Sequence, residues 1–358
     1  MRQMLIVLLV VGAAASSCGG AEVDGAALSE PGPHGVGRVT LDIVDESRDA
    51  RAVGVTAFYP AISEESRPDP DAEPEAADAP YPIVLGDSKI GDLLGPHLAS
   101  HGYVFLSVRP PIKDWPWWPN AEKLIDMPLD LMAALDDLHY NGDHPLHDLA
   151  DPTRVGVIGY SFGSVLALGL SGARYDPAYY EATCAARPDG WSDNWWTFVC
   201  GQPEGWDHVR QRADELGLEE ADGRWRALGD ERIKAVMPMG PEGFELYGPG
   251  GLAEATAEAL FIAAGSDTIN DYVPATTDLF EHYPDAELIT FVGADHMMIF
   301  QPDVVDQIQR FAVAFFALQL GAEEGYAELL TTEFVEDEAP GLGKASSFET
   351  LLWGVHDG

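Results

Sequence analysis

Positive charge is what this 358-residue chain lacks most: 20 lysines and arginines stand against 60 aspartates and glutamates, a net charge of −40. A surface of that sign repels phosphate backbones and anionic headgroups, which argues against nucleic acid as a partner and favours neutral or cationic ligands. Long apolar runs are missing as well; the run from Met4 to Ala15 is too short to span a bilayer comfortably. Cysteine is down to three residues. There is no metal-ligand cluster, no phosphate-binding glycine loop, no dinucleotide fingerprint and no internal repeat, so the expectation is a protein without a cofactor or a metal. What remains is ordinary: an apolar fraction of 46% supports a sizeable core, and the length suits one elaborated domain.

Arg2 followed by the apolar run reads as a targeting segment, not as fold. Ala15-Ser16-Ser17-Cys18 resembles a bacterial lipoprotein cleavage box. That resemblance implies a signal peptide over 1–17, lipidation of Cys18, and an exported chain held to a membrane by its N-terminal anchor, periplasmic or at the cell surface. An ordinary secretory peptide cut nearby is the alternative. An oxidising compartment then makes a disulfide between Cys184 and Cys200 the expectation. Residues 18–37, rich in Gly, Ala and Pro, read as a tether, and 336–358 as a C-terminal tail.

Between them, 38–335 alternates strand-like and helix-like stretches. Strands are expected at Val39–Val44, Val53–Tyr59, Pro82–Leu85, Tyr103–Val108, Val155–Ile158, Ile233–Met237, Leu260–Ala263 and Leu288–Phe291. Helices are expected at Leu93–Ser100, Ala121–Leu138, Ser161–Leu170 and Val304–Leu320; in the second, Leu124, Met127, Leu131, Ala134, Leu135 and Leu138 share one face. Such alternation predicts the α/β class, a mostly parallel sheet covered by helices on both faces. The acidic, Pro-rich stretch 61–79 reads as a mobile loop. Residues 174–230, with four tryptophans between 191 and 206 and two of the cysteines, read as a cap inserted over the C-terminal edge of the sheet.

Gly159-Tyr160-Ser161-Phe162-Gly163 follows a buried strand and opens a helix of small residues. That is the setting of a nucleophile elbow, in which Gly at both ends lets the turn close and holds the serine hydroxyl clear of the backbone. The Phe162 N–H, at the helix N-terminus, is the expected oxyanion donor. A serine needs a base and the base an orienting carboxylate. Asp267 follows the Leu260–Ala263 strand, with Asp271 the competitor four residues on; His296 follows the last expected strand. The second oxyanion donor is expected from the Gly86–Gly91 segment, read as a loop, first from the Asp87 N–H and then from Ser88, with Lys89 either offsetting charge or solvated. Tyr160, Trp115, Trp117 and Trp118 are candidate substrate contacts, or packing partners of the cap.

These residues resemble the dienelactone-hydrolase-like α/β-hydrolases, which include platelet-activating-factor acetylhydrolases and cutinase-like polyester hydrolases. The likeness is carried by residues 95–103, the Gly159–Gly163 elbow, residues 230–236, Gly265-Ser266-Asp267-Thr268-Ile269 and Gly293-Ala294-Asp295-His296. It implies the α/β-hydrolase fold, the triad Ser161, Asp267 and His296, and a serine esterase acting on small or lipid-like esters. Short-acyl phospholipid hydrolysis and polyester hydrolysis are its substrate alternatives. A ligand-binding surface lipoprotein with a degenerate site is the non-enzymatic one. Many relatives carry a His-Gly pair where Ser88-Lys89 stands here, and the compact polyester hydrolases lack the insertion.

Overall fold

Alternating burial along the central strands explains the layering. Ile83, Leu85, Val155 and Val157 fall in one buried apolar cluster, while Val84, Ile158, Met237 and Ile262 fall in another. Side chains alternate across a strand, so both faces of these strands are covered. The structure, a computed structural model, describes residues 24–63, 67–109, 118–321, 323–338 and 342–345. The expected signal segment, Cys18, Trp115 and Trp117 lie outside the described residues.

Among the described residues, ten strands form one sheet: β1 (Gly35–Asp45), β2 (Arg51–Ile62), β3 (Glu73–Pro74), β4 (Tyr81–Asp87), β5 (Val104–Arg109), β6 (Ala150–Tyr160), β7 (Ile233–Met239), β8 (Glu258–Ala264), β9 (Ala286–Phe291) and β10 (Leu342–Ala345). Their spatial order is β1-β2-β5-β4-β6-β7-β8-β9-β10, with β3 beside β2. From β5 to β9 every neighbouring pair is parallel; β1, β2 and β10 add antiparallel edges. The helices are α1 (Ser88–Ser100), α2 (Met127–Tyr140), α3 (Phe162–Leu170), α4 (Pro177–Ala186), α5 (Asp193–Cys200), α6 (Pro203–Glu215), α7 (Phe244–Leu252), α8 (Asp278–His282), α9 (Pro302–Gly321) and α10 (Thr332–Glu338). The chain is thus mixed α/β, with a mostly parallel central sheet and helices around it. Among the described residues, no helix is long and apolar enough to cross a membrane.

Several local expectations change. The Gly86–Gly91 segment is not a loop: β4 runs straight into α1, because the Asp87 carboxylate accepts the Lys89 and Ile90 N–H groups (2.8 and 3.1 Å) and caps the helix from within the strand end. The Ala121–Leu138 helix opens instead with a π-helical turn over Glu122–Asp126. From Asp24 onward the segment read as a tether is packed down. Leu28 is buried, its carbonyl meets His97 Nε2 at 2.9 Å, and the Glu30 carbonyl meets His101 Nε2 at 2.9 Å. In the acidic stretch, Glu73–Pro74 pairs with Ala61 and Ile62, and the Tyr59 hydroxyl donates to the Ala72 carbonyl. The segment read as a C-terminal tail adds β10 to the edge of β9.

Candidate active site

Ser161 is the only residue between β6 and α3, and it sits at φ 55°, ψ −121°. An L-residue held there costs on the order of 1–3 kcal/mol, so the surroundings must enforce it. They do. A Cβ on Gly159 would lie 1.8 Å from the Gly163 carbonyl oxygen, and one on Gly163 would lie 2.7 Å from Asp87 Oδ2. The Ser161 N–H donates to the Met239 carbonyl at 2.9 Å, pinning the turn to the end of β7.

The parallel strands bring two other loops to the same edge. Asp267 lies three residues past β8; its Oδ1 accepts the Ile269 and Asn270 N–H groups at 2.8 and 2.9 Å. Asn270 Nδ2 in turn donates to the Gly240 carbonyl beyond β7. His296 follows β9, buried, with Nδ1 2.7 Å from Asp267 Oδ2 and Nε2 3.0 Å from Ser161 Oγ. A carboxylate only accepts, so Nδ1 carries the proton and Nε2 is left to accept from the serine hydroxyl. The competitor, Asp271, points elsewhere: it accepts the Ser192 N–H at 2.7 Å and the Ser192 hydroxyl at 3.0 Å, tying the inserted segment to the loop that carries Asp267.

The insertion supplies α4, α5 and α6, and the Cys184–Cys200 disulfide joins the first two. Phe198 of α5 stacks on Trp118 with ring centroids 5.9 Å apart, and Trp118 lies 4.6 Å from Phe162. Trp118 therefore joins the cap to the residue beside the nucleophile. Tyr160 packs on the His296 ring at 5.2 Å and also lines the pocket at Ser161. That pocket holds about 200 Å³ and is walled by Asp87, Ser88, Lys89, Lys123, Met127, Phe162 and Leu166 as well.

Its charges are strongly perturbed. Burial pushes the Asp87 carboxyl above its usual range, although two helix N–H groups and the ammonium groups of Lys123 and Lys89 pull the other way. Burial lowers Lys123 to about 8, against the attraction of Asp87 and Glu242. Its ammonium lies 3.6 Å from the centre of the Phe162 ring. Behind the pocket, burial raises Glu242 to about 8 and Glu245 to about 7. Lys123 and Glu242 escape sequence reasoning because no spacing links residues 123 and 242 to a serine at 161; only packing brings them near. Asp87, expected for its N–H, places its carboxylate against the elbow, and Ser88 opens α1 at the pocket wall. Among the described residues, no group of three or more His, Cys, Asp or Glu side chains is arranged to hold a metal ion.

No family model matches the chain, and no curated protein sequence matches it either.

Proposed function

We propose that this chain is a serine carboxylic-ester hydrolase of α/β-hydrolase architecture, working through an acyl-enzyme on small or lipid-like esters. The observation that carries this reading is the continuous contact Asp267–His296–Ser161, with the serine held on a strained strand-to-helix turn. The parallel strand order, with the three residues following β6, β8 and β9, supports it.

His296 Nε2 takes the Ser161 proton as Oγ bonds to the ester carbonyl carbon, and the carbonyl pair moves onto oxygen. Collapse of that adduct breaks the bond to the alkoxide, which leaves with the proton held by His296. A water then gives its proton to His296 and adds to the acyl carbon. Collapse now frees the carboxylic acid and returns the proton to Ser161. Asp267 stays a carboxylate throughout and stabilises the imidazolium. The oxyanion is met by the Phe162 N–H in the first turn of α3 and by an N–H at the β4–α1 junction, from Asp87 or Ser88. The aromatic cover of Trp118 and Phe198 beside a 200 Å³ pocket favours small esters over a polymer surface. The Cys184–Cys200 disulfide supports an exported location, as the lipoprotein-like N-terminus does.

A fluorescent fluorophosphonate labels the wild type and not Ser161→Ala, and p-nitrophenyl butyrate turnover falls by about 10⁴-fold or more in that variant. Asp267→Asn loses about 10⁴-fold, as expected when the imidazole is held in the wrong tautomer, whereas Asp271→Asn stays within about tenfold of wild type. Folded wild-type protein that neither labels nor turns over overturns the proposal.

A further inference from the structure

We propose that Asn270 is a positioning residue of the triad: it ties the loop that carries Asp267 to the end of β7, and so fixes the carboxylate, and through it His296, against Ser161. This deepens the ester-hydrolase reading and rests on it. Asn270 is 2% exposed and donates in two directions. Its main-chain N–H meets Asp267 Oδ1 at 2.9 Å. Its side-chain Nδ2 meets the Gly240 carbonyl at 3.0 Å and the Pro241 carbonyl at 3.4 Å. Two carbonyls on one side settle which end of the amide faces them, because only the NH₂ group can donate.

The end of β7 is where the three catalytic loops meet. The Met239 carbonyl accepts the Ser161 N–H at 2.9 Å, and the Gly240 N–H donates to the Ile262 carbonyl of β8 at 2.8 Å. Gly240 lies at φ +49°, and a Cβ there would stand 3.1 Å from the Tyr160 ring and 3.6 Å from His296 Cε1. The same short stretch of backbone thus holds the serine turn, lies against the histidine ring and, through Asn270, holds the acid.

The acid loop has other fastenings, but they are exposed. Ser266 Oγ donates to the Val292 carbonyl at 3.3 Å, and Asp271 accepts from Ser192 of the cap. Water competes for both. The Asn270 bond is buried, where losing one partner leaves polar groups unsatisfied. Among the described residues Asn270 Oδ1 meets no donor. Packing alone would favour an apolar side chain here, so the amide is kept for what its NH₂ group holds.

The test is kinetic. Asn270→Ala lowers kcat on p-nitrophenyl butyrate by about 10- to 100-fold, the scale of a misplaced catalytic group, and leaves KM within about twofold. The rate of fluorophosphonate labelling falls by the same factor. The deciding comparison is made in Asp267→Ala. A residue that acts through Asp267 has nothing left to position there, so adding Asn270→Ala changes the labelling rate by less than about twofold. A residue that merely supports the fold gives the same loss in both backgrounds. Asn270→Ser, whose shorter side chain does not span to both carbonyls, carries the same comparison if Asn270→Ala does not fold, and melting temperatures show which variants are folded. A wild-type kcat in a folded Asn270 variant, a change confined to KM, or an equal loss with and without Asp267 overturns the inference while leaving the ester-hydrolase reading intact. A folded wild type without turnover, or an Asp267→Ala variant as active as wild type, overturns both.

Discussion

Asp267 and Asp271 sit four residues apart on one loop, and hydrogen bonding separates their roles completely. Asp267 turns inward, spends one oxygen on two backbone N–H groups and the other on His296; Asp271 spends both on Ser192. Two further carboxyls behind the pocket have a measurable consequence. Glu242 and Glu245 are almost fully buried, and among the described residues Glu242 Oε1 and Glu245 Oε2 have no hydrogen-bond partner. Burial raises their pKa values from 4.5 to about 8 and about 7. Both groups bind protons more tightly folded than unfolded, so their contribution to stability is fully present below about pH 4.5 and is lost as pH rises through 7 to 8. The melting temperature should therefore fall between pH 5 and pH 8, and a Glu242→Gln, Glu245→Gln double variant should fall less. Calorimetry at both pH values checks this; identical slopes for the two proteins would sink it.

Ion pairs, not apolar contact alone, join the cap to the sheet edge. Arg48, in the turn between β1 and β2, is buried and donates to Asp45 at 2.5 Å, to Asp130 at 2.6 Å and to the Asp126 carbonyl at 3.1 Å. Arg51 of β2 reaches Asp130 with two bonds, and Arg212 of α6 reaches Asp126 at 2.8 Å. Two acids at the start of α2 thus hold a hairpin on one side and the inserted helices on the other. Removing one partner of such a group leaves buried charge uncompensated. Arg48→Met should cost about 3–5 kcal/mol in urea unfolding; a loss below about 1 kcal/mol would show the network to be solvated. The helix carrying these acids is readable from its apolar spacing. The π-helical turn that opens it is not, because a shift from i+4 to i+5 bonding leaves no mark in residue type.

Across the whole molecule, 60 acidic residues on one chain repel one another, and salt screens that repulsion over a Debye length of about 10 Å at 0.1 M. The melting temperature should rise between 0.02 and 0.5 M sodium chloride, as scanning calorimetry would read. A melting temperature that is flat or falls would mean that ion pairs such as those of Arg48 and Arg174 outweigh the net repulsion. The same field opposes an anionic substrate at long range.

The order of strands and helices and the elbow at Ser161 were legible in the sequence, and so were Asp267 and His296 as candidates at strand ends. Period-two and period-3.6 burial, and the steric demand of a tight turn for glycine, act within a few residues along the chain. The sequence alone favoured Asp267 with Asp271 as its competitor, left Gly86–Gly91 as a loop and the 18–37 segment as a tether, and said nothing of Lys123. Only the tertiary structure decided these. Which acid meets an imidazole 29 residues away, which carboxylate closes against Gly163, and which lysine reaches a serine pocket depend on where the sheet brings distant strand ends. Those contacts form between parts of the chain that no local pattern connects.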